Sequence, residues 1–448
     1  MARLSKLKTV YKPIVIQDDA PNISSDGGLL ALKKLDQKFG LTSLAASCLS
    51  DPRKDCIHTV GKMVAQRVYG IALGWEDCND SATLGQDPLY RLALESPLAS
   101  QPMLSRFENW VRRKDLYRLS GVLVDVFAVR HKKSAPKWIV LDIDSTVDPC
   151  HGQQELDLFN GFYGCKCYVP LLIFGSCDGG PMEILAAVLR PGNSQSCKHA
   201  AAILGRVVKL LRKSFPKSKI LVRADAGFAW PAFYAVCESM KLKYLIATEG
   251  YKKLQEAAEP LMVQSRSMRD QTSEAARCFG EMSYKAYNWK ESRRVIVKGE
   301  ALATKQNDGK SKRTKSKSGK KKDTRDNARF VATNLKGDPE YLYGIYCLRG
   351  ESENRIKEMK VDLASGRTSC QKFIANTFRL LLHALAFVLM SMLKSELAGT
   401  ELAKCTLGQI RLKLLKIAAI VQESTRRVVI RLPRGHPYCR LLMALVQT

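Results

Sequence analysis

Apolar positions change their period along this chain. Through residues 29–32 and 60–73 they recur three or four apart, the spacing of a helix with one buried face. Residues 1–135 therefore read as mainly helical, after a short extended start at 10–17. Within them, Pro102 near a first turn, behind the capping residue Ser100, predicts a helix over 102–110. From residue 136 the pattern becomes short apolar runs separated by helical stretches. Strands are predicted at 138–143, 167–174, 182–189, 220–224 and 244–248, and helices at 199–214 and 231–240. Strand, helix and strand in alternation predict an α/β sheet. Between 249 and 337 a charged helical start gives way to strand-like runs at 293–298 and 328–334. Beyond that come a predicted strand at 341–348, a helix at 351–363 and a long apolar helix at 371–397. The tail reads as an amphipathic helix at 408–422, a strand at 427–432 and a last helix at 437–446. No internal repeat is visible.

Charge narrows the class of partner. The 448 residues carry 72 Lys and Arg against 43 Asp and Glu, a net charge of +29. An excess of that size points to a polyanion such as nucleic acid, against the alternative of an unrelated basic enzyme. Much of it crowds into a low-complexity stretch, 304–327, with Lys310, Lys312, Arg313, Lys315, Lys317, Lys320, Lys321 and Lys322. That stretch reads as a solvated basic arm that touches phosphate, or as a linker. The 14 cysteines form no C-x-x-C pair, so reduced thiols are expected. Cys165 and Cys167, with Cys150 and His151 upstream, have the wrong spacing for a zinc knuckle. The first eight residues carry charge without an apolar segment behind them, so no secretory signal is expected. The most apolar stretch, 378–393, is broken by Arg379 and His383 and reads as a buried helix, not a membrane span. No phosphate-binding glycine loop is present, so no nucleotide cofactor is expected.

Three acids carry the candidate chemistry. Asp144 ends the apolar run that starts at Trp138, and Asp225 ends the one that starts at Ile220. Carboxylates at buried strand ends are costly unless paired or metal-bound, and ligand groups collect at the carboxyl ends of strands in open α/β sheets. Asp142 lies two residues before Asp144, on the same strand face, and can support it as a second carboxylate. Ser145 and Thr146 follow, able to fix a ligand. Ala226 and Gly227 follow Asp225 and allow close backbone approach. The third acid is Glu353. At about 100° per residue, Tyr346, Arg349, Glu353 and Lys360 share an arc of roughly 60°. A carboxylate, two cations and a phenol on one stripe suit a metal ion beside a phosphate; a solvated, salt-bridged helix face is the alternative.

Together these residues resemble bacterial insertion-sequence transposases of the DDE class, the subgroup with a Tyr-2-Arg-3-Glu-6-Lys signature (DDE group 1 type). Tyr346, Arg349, Glu353 and Lys360 keep every spacing. The patterns at 74–80 (Gly-Trp-Glu-Asp-Cys-Asn-Asp), 100–109, 223–228 and 366–369 agree with it, so the resemblance runs from about residue 25 to the end. The Lys-rich stretch 304–327 is a departure. The resemblance implies an α/β, RNase H-like catalytic core with a β-rich insertion before the third acid, preceded by a helical N-terminal DNA-binding domain. It implies Asp144, Asp225 and Glu353 as catalytic residues holding two Mg²⁺ ions, with Mn²⁺ as a substitute. Its partners would be double-stranded DNA, both transposon inverted repeats and target, and a second copy of the chain in a synaptic homodimer. Tyr346, Arg349 and Lys360 would touch that DNA, Arg106 would do so from the N-terminal domain, and Asp142 and Thr146 would back the acids. Relatives cut the second strand through a hairpin and flip a base onto an aromatic residue, for which Trp289 is the candidate, with a core tryptophan as the alternative.

The expected domains are 1–135, helical and DNA-binding; 136–248, the first part of the core; 249–337, the insertion with its Lys-rich loop; 338–397, the second part of the core, with Glu353; and 398–448, serving dimerisation or DNA contact. The expected activity is binding of inverted repeats, metal-dependent cleavage and strand transfer, in a cytoplasmic, nucleoid-associated protein without membrane contact. Two other readings stand beside it: a transposase-derived DNA-binding protein without catalysis, and a different RNase H-like nuclease.

Overall fold

The computed structural model describes residues 7–8, 13–14, 18–19, 22–54, 56–302 and 326–447. Of the extended start expected at 10–17, only 13–14 fall among them. Nearly all of the Lys-rich stretch lies outside the described residues. Contacts divide the chain into two compact units. One is Met1–Arg112 with Asp362–Ala364 and Leu385–Thr448; the other is Arg113–Val361 with Ser365–Ala384.

The first unit is mainly helical. It contains α1 (Leu29–Phe39), α2 (Leu41–Ser47), α3 (Val60–Leu73), α4 (Pro88–Leu94) and α5 (Gln101–Trp110). Helix α3 starts where the Thr59 side chain accepts the Lys62 amide, and ends at Gly74, whose φ of 90° suits glycine. A buried ion pair joins two of the sequence patterns: Arg67 Nε lies 3.0 Å from Glu108 Oε1, and its Nη2 donates to the Glu76 carbonyl. The end of the chain belongs to this unit. Ala419–Glu423 forms a strand that pairs with Ile23–Ser24 on one side and Val428–Arg431 on the other. The amides of Gly27 and Gly28 donate to the carbonyls of Ile417 and Leu415. The helix expected over 408–422 is therefore only Leu407–Ile410 with a wider turn to Leu415. The apolar Ala419-Ile420-Val421, two of them β-branched, finds strand partners instead.

The second unit is a mixed sheet covered on both faces. Helix α6 (Arg113–His131) leads into β1 (Trp138–Ser145), β2 (Leu171–Cys177) and β3 (Glu183–Val188). Then come α7 (Ala200–Ser214), β4 (Lys219–Ala224), α8 (Pro231–Ser239), β5 (Lys243–Thr248) and α9 (Lys252–Thr272). Three further strands follow: β6 (Ala276–Tyr284), β7 (Arg293–Ala301) and β8 (Asn327–Thr333). Across the sheet the order is β6-β7-β8-β5-β4-β1-β2-β3. Strands β1, β4 and β5 are parallel and every other pairing is antiparallel. Strands β6 and β7 thus extend the central sheet through β8, which lies beside β5. Strand β6 escapes the sequence reading because its edge position lets polar residues alternate through it.

Alternation along the strands assigns the faces. Ile139, Leu141 and Ile143 of β1 and Ile220 and Val222 of β4 pack with residues of α6, α7, α8 and α9. Leu221, Leu245, Ile296 and Val331 face the other way, onto Leu342 and Tyr343 of α10 (Pro339–Cys347). Residues 341–348 were expected as a strand and are a helix. Asp338 accepts the Tyr341 amide, Pro339 holds the first turn and Glu340 follows, and these start signals outweigh the β-propensity of the tyrosines. Helix α11 (Gly350–Lys357) runs into a π-helical turn, Glu358–Asp362. Helix α12 (Phe373–Glu396) is long and apolar enough to cross a bilayer, but most of its apolar window is buried inside the protein.

Candidate active site

The site is built at the carboxyl ends of β1 and β4. The parallel register sets Ile143 beside Ala224, so the next residues on the two strands are Asp144 and Asp225. By parity both lie on the face covered by α10 and α11, away from the main core. The Asp144 carboxylate accepts the Ser145 amide at 2.8 Å, and Asp225 accepts the Gly227 amide at 2.9 Å. Gly227 is required there, since a Cβ would lie 2.9 Å from Ser196 Cβ.

The third acid joins them through an arginine. Arg349 Nη1 donates to Asp144 Oδ2 at 2.8 Å, and its Nη2 donates to Glu353 Oε1 at 2.7 Å. Glu353 is otherwise open, with 58% of its side chain exposed. Burial pushes the Asp144 carboxyl up to about 6; Arg349 opposes that rise and the neighbouring Asp225 adds to it. Asp225 is raised for the same first reason, with Arg349 opposing and Glu353 adding. Burial works against the charge on Arg349, but Asp144, Tyr346, Glu353 and Asp225 hold its proton more tightly overall. Asp144 and Glu353 thus share the guanidinium of Arg349, whose charge also acts on Asp225. Among the described residues, no three His, Cys, Asp or Glu side chains stand close enough to hold a metal ion in this arrangement. The donor set is nonetheless all carboxylate oxygen, the kind that hard divalent cations prefer, and a cation already bridges two of its members.

The supporting residues divide by what they touch. Asp142 is fully buried and bidentate to Arg223, at 2.6 and 2.7 Å. Arg223 Nη1 donates onward to the Ile345 carbonyl, so this pair fixes the end of α10 that carries Tyr346. Lys360 does not reach the acids. Its ammonium donates to Thr146 Oγ1 at 3.2 Å and to the Val147 carbonyl, and pairs with buried Asp148 at 3.2 Å. Thr146 therefore holds Lys360. Gly366 lets both groups pack closely, since a Cβ there would lie 3.1 Å from Asp148 Oδ1. Arg106 is exposed on α5, in the other compact unit from the acids.

Trp289 is the expected base stacker that the structure does not support. It is only 4% exposed, packed edge-on against Tyr234 and Tyr284, with the Arg293 guanidinium 5.0 Å from its ring. It belongs to the core on the sheet face opposite the acids. A large apolar ring on a loop over that core gains more from burial than from exposure.

Sequence reasoning missed three residues. Arg223 had a signal: it lies two before Asp225, on the same face of an apolar strand, where a cation needs a partner. Arg190 had none. It is buried, and its guanidinium donates to the carbonyls of Val169, Gln195, Ser196 and Lys198 and to Ser145 Oγ beside Asp144. Burial lowers its pKa to about 10. Asp148, the partner of Lys360, became visible only through the fold.

Two acids on neighbouring parallel strands, with a third delivered by a helix, define a carboxylate-centred site. Residues 7–448 match the family described as Transposase DDE domain group 1. The match spans almost the whole chain, so the protein belongs to that family: it is a DDE transposase, and DNA is its substrate. No curated protein matches the sequence.

Proposed function

We propose that this protein is the cut-and-paste transposase of a bacterial insertion sequence, of the Tyr-Arg-Glu-Lys subgroup. It binds the inverted repeats at the ends of its element, cleaves there and joins those ends to target DNA, passing through a hairpin on the second strand. The strand order β3-β2-β1-β4-β5, with β2 antiparallel to β1, supports an RNase H-like core. The carrying observation is the register that sets Asp144 beside Asp225, with Arg349 joining Asp144 to Glu353.

Asp144, Asp225 and Glu353 would hold two Mg²⁺ ions, with Mn²⁺ as a substitute, and these supply Lewis acidity for activating a water or a 3′-hydroxyl and for stabilising the leaving oxygen. Tyr346 and Arg349 stand where a scissile phosphate beside Glu353 would lie, with hydrogen-bond donors for its oxygens. Lys360 orients the loop after β1 through Thr146 and Asp148. Arg106 contacts DNA from the helical unit, and two copies of the chain assemble at paired ends, in the cytoplasm.

The test is cleavage of the element's own ends in Mg²⁺. Asp144→Asn, Asp225→Asn and Glu353→Gln should each lose cleavage by about a thousandfold or more while retaining gel-shift binding, which comes from phosphate contacts spread over many residues. Wild-type cleavage by any one of the three would remove that acid from the site.

A further inference from the structure

Between β1 and β2 the chain makes a small hairpin with an exposed aromatic tip. Phe159–Asn160 pairs with Cys165–Tyr168, with Phe159 opposite Lys166 and Asn160 opposite Cys165. The tip is Gly161-Phe162-Tyr163-Gly164.

This tip is braced. Asn160 Oδ1 accepts the amides of Phe162 and Tyr163, at 3.0 and 3.3 Å, and its carbonyl accepts the Gly164 amide at 2.8 Å. Gly164 closes the turn at φ 66°. Asn160 Nδ2 donates to the Gly192 carbonyl at 2.7 Å. At the base, a Cβ on Gly192 would lie 2.0 Å from the Leu158 carbonyl oxygen and 2.2 Å from that of Cys167, so only glycine fits. Yet Phe162 at the tip is 89% exposed and Phe159 is 62% exposed. A turn fixed by side-chain hydrogen bonds, holding large rings in water, has forgone burial that hydrophobic side chains normally gain.

Its position indicates an occupant. Tyr163 meets Phe162 edge-on, 4.9 Å between ring centroids. Burial first, then the charges of Asp144 and Asp225, raise the Tyr163 hydroxyl. The hairpin is tied through Gly192 to the loop whose carbonyls Arg190 gathers, and Ser196 of that loop packs on Gly227 beside Asp225. Lys166, opposite Phe159 in the hairpin, and Lys198, whose carbonyl Arg190 holds, are both exposed. Apolar rings, flanking lysines and a cleavage centre suit a nucleobase and its phosphates. Rings stack on any base, and apolar wedges open a base step where the duplex must be distorted.

We propose that Phe162 is a stacking platform for a base unpaired from the DNA end bound at Asp144, Asp225 and Glu353, with Phe159 as a second surface. This rests on the DNA-end reading above and assigns to this hairpin the contact that Trp289 cannot make. The test uses the full chain in EDTA, so that no strand is cut. Two probes are titrated by fluorescence: a blunt duplex, and the same duplex with a short single-stranded 3′ extension carrying 2-aminopurine at its first unpaired position. Wild type should bind the extended probe about tenfold more tightly than the blunt one and quench the 2-aminopurine. Phe162→Ala and Phe162→Leu should lose both the preference and the quench, with blunt-duplex binding and melting temperature unchanged, and Phe162→Trp should restore them. The idea fails if either the alanine or the leucine variant keeps the wild-type preference and quench, or if wild type shows neither. Wild type binding neither DNA would overturn the DNA-end reading, and this one with it; normal blunt binding without a Phe162 effect would overturn the stacking alone.

Discussion

At the scale of single residues, the site is organised by arginines as much as by acids. Arg349 supplies the one positive charge that Asp144 and Glu353 share. It therefore competes with any divalent cation for the same oxygens. Arg349→Ala should bind Mn²⁺ more tightly than wild type in the absence of DNA, by several-fold in calorimetry. Cleavage should nonetheless fall by about a hundredfold, because the guanidinium is then missing from the bound phosphate. Unchanged Mn²⁺ affinity would show that Arg349 does not screen the acids. Arg223 acts on stability. Removing it strands Asp142, which is fully buried, so Arg223→Met should cost roughly 3–5 kcal/mol in urea unfolding. Asp142→Leu/Arg223→Met, which removes both charges, should recover a large part of that loss. If the double variant is no better than the single, the loss comes from the bond to the Ile345 carbonyl.

At the scale of elements, the π-helical turn after α11 decides what Lys360 does. The α-helical period of about 3.6 residues per turn would keep Lys360 on the stripe of Arg349 and Glu353. The wider turn at Glu358–Asp362 instead delivers it to Thr146, Val147 and Asp148. Lys360→Met should then leave Asp148 buried without its cation and lower stability by about 1–3 kcal/mol, read as the denaturation midpoint. It should leave the salt dependence of DNA binding as in wild type. A slope reduced by about one would instead make Lys360 a phosphate contact. Helix α10 shows the same lesson in its favour. Its start signals, Asp338-Pro339-Glu340, are readable in the sequence and outweigh the β-propensity of Tyr341, Tyr343 and Tyr346.

At the scale of the whole molecule, the first compact unit needs both ends of the chain. Ile23–Ser24 pairs with Ala419–Glu423, and Gly27 and Gly28 bond to carbonyls of 417 and 415. A fragment ending near residue 135 lacks those partners. Truncation after residue 397 should therefore expose this unit to limited proteolysis while β1 to β8 stay protected, with cleavage products mapped by mass spectrometry. Equal resistance of 22–112 in the truncated and full-length proteins would mean that the helices α1 to α5 hold without the tail.

The sequence by itself determined whatever depends on local period. The strands at β1 and β4, the face shared by Asp142 and Asp144, the break in pattern at residue 136 and the spacing of Tyr346, Arg349, Glu353 and Lys360 were all legible, because periods of 2 and 3.6 act over a few residues. Tertiary structure alone decided which strand ends meet. The register that sets Asp144 beside Asp225, the bridge from Arg349, the gathering of loop carbonyls by Arg190 and the pairing of residues 23–24 with 419–420 each join segments far apart in the chain. Trp289, open between a core residue and a base stacker in the sequence, was decided for the core in the same way. Nothing local distinguishes a tryptophan that caps a core from one that waits for a base; only the face of the sheet it covers does so, and that face is fixed by long-range pairing.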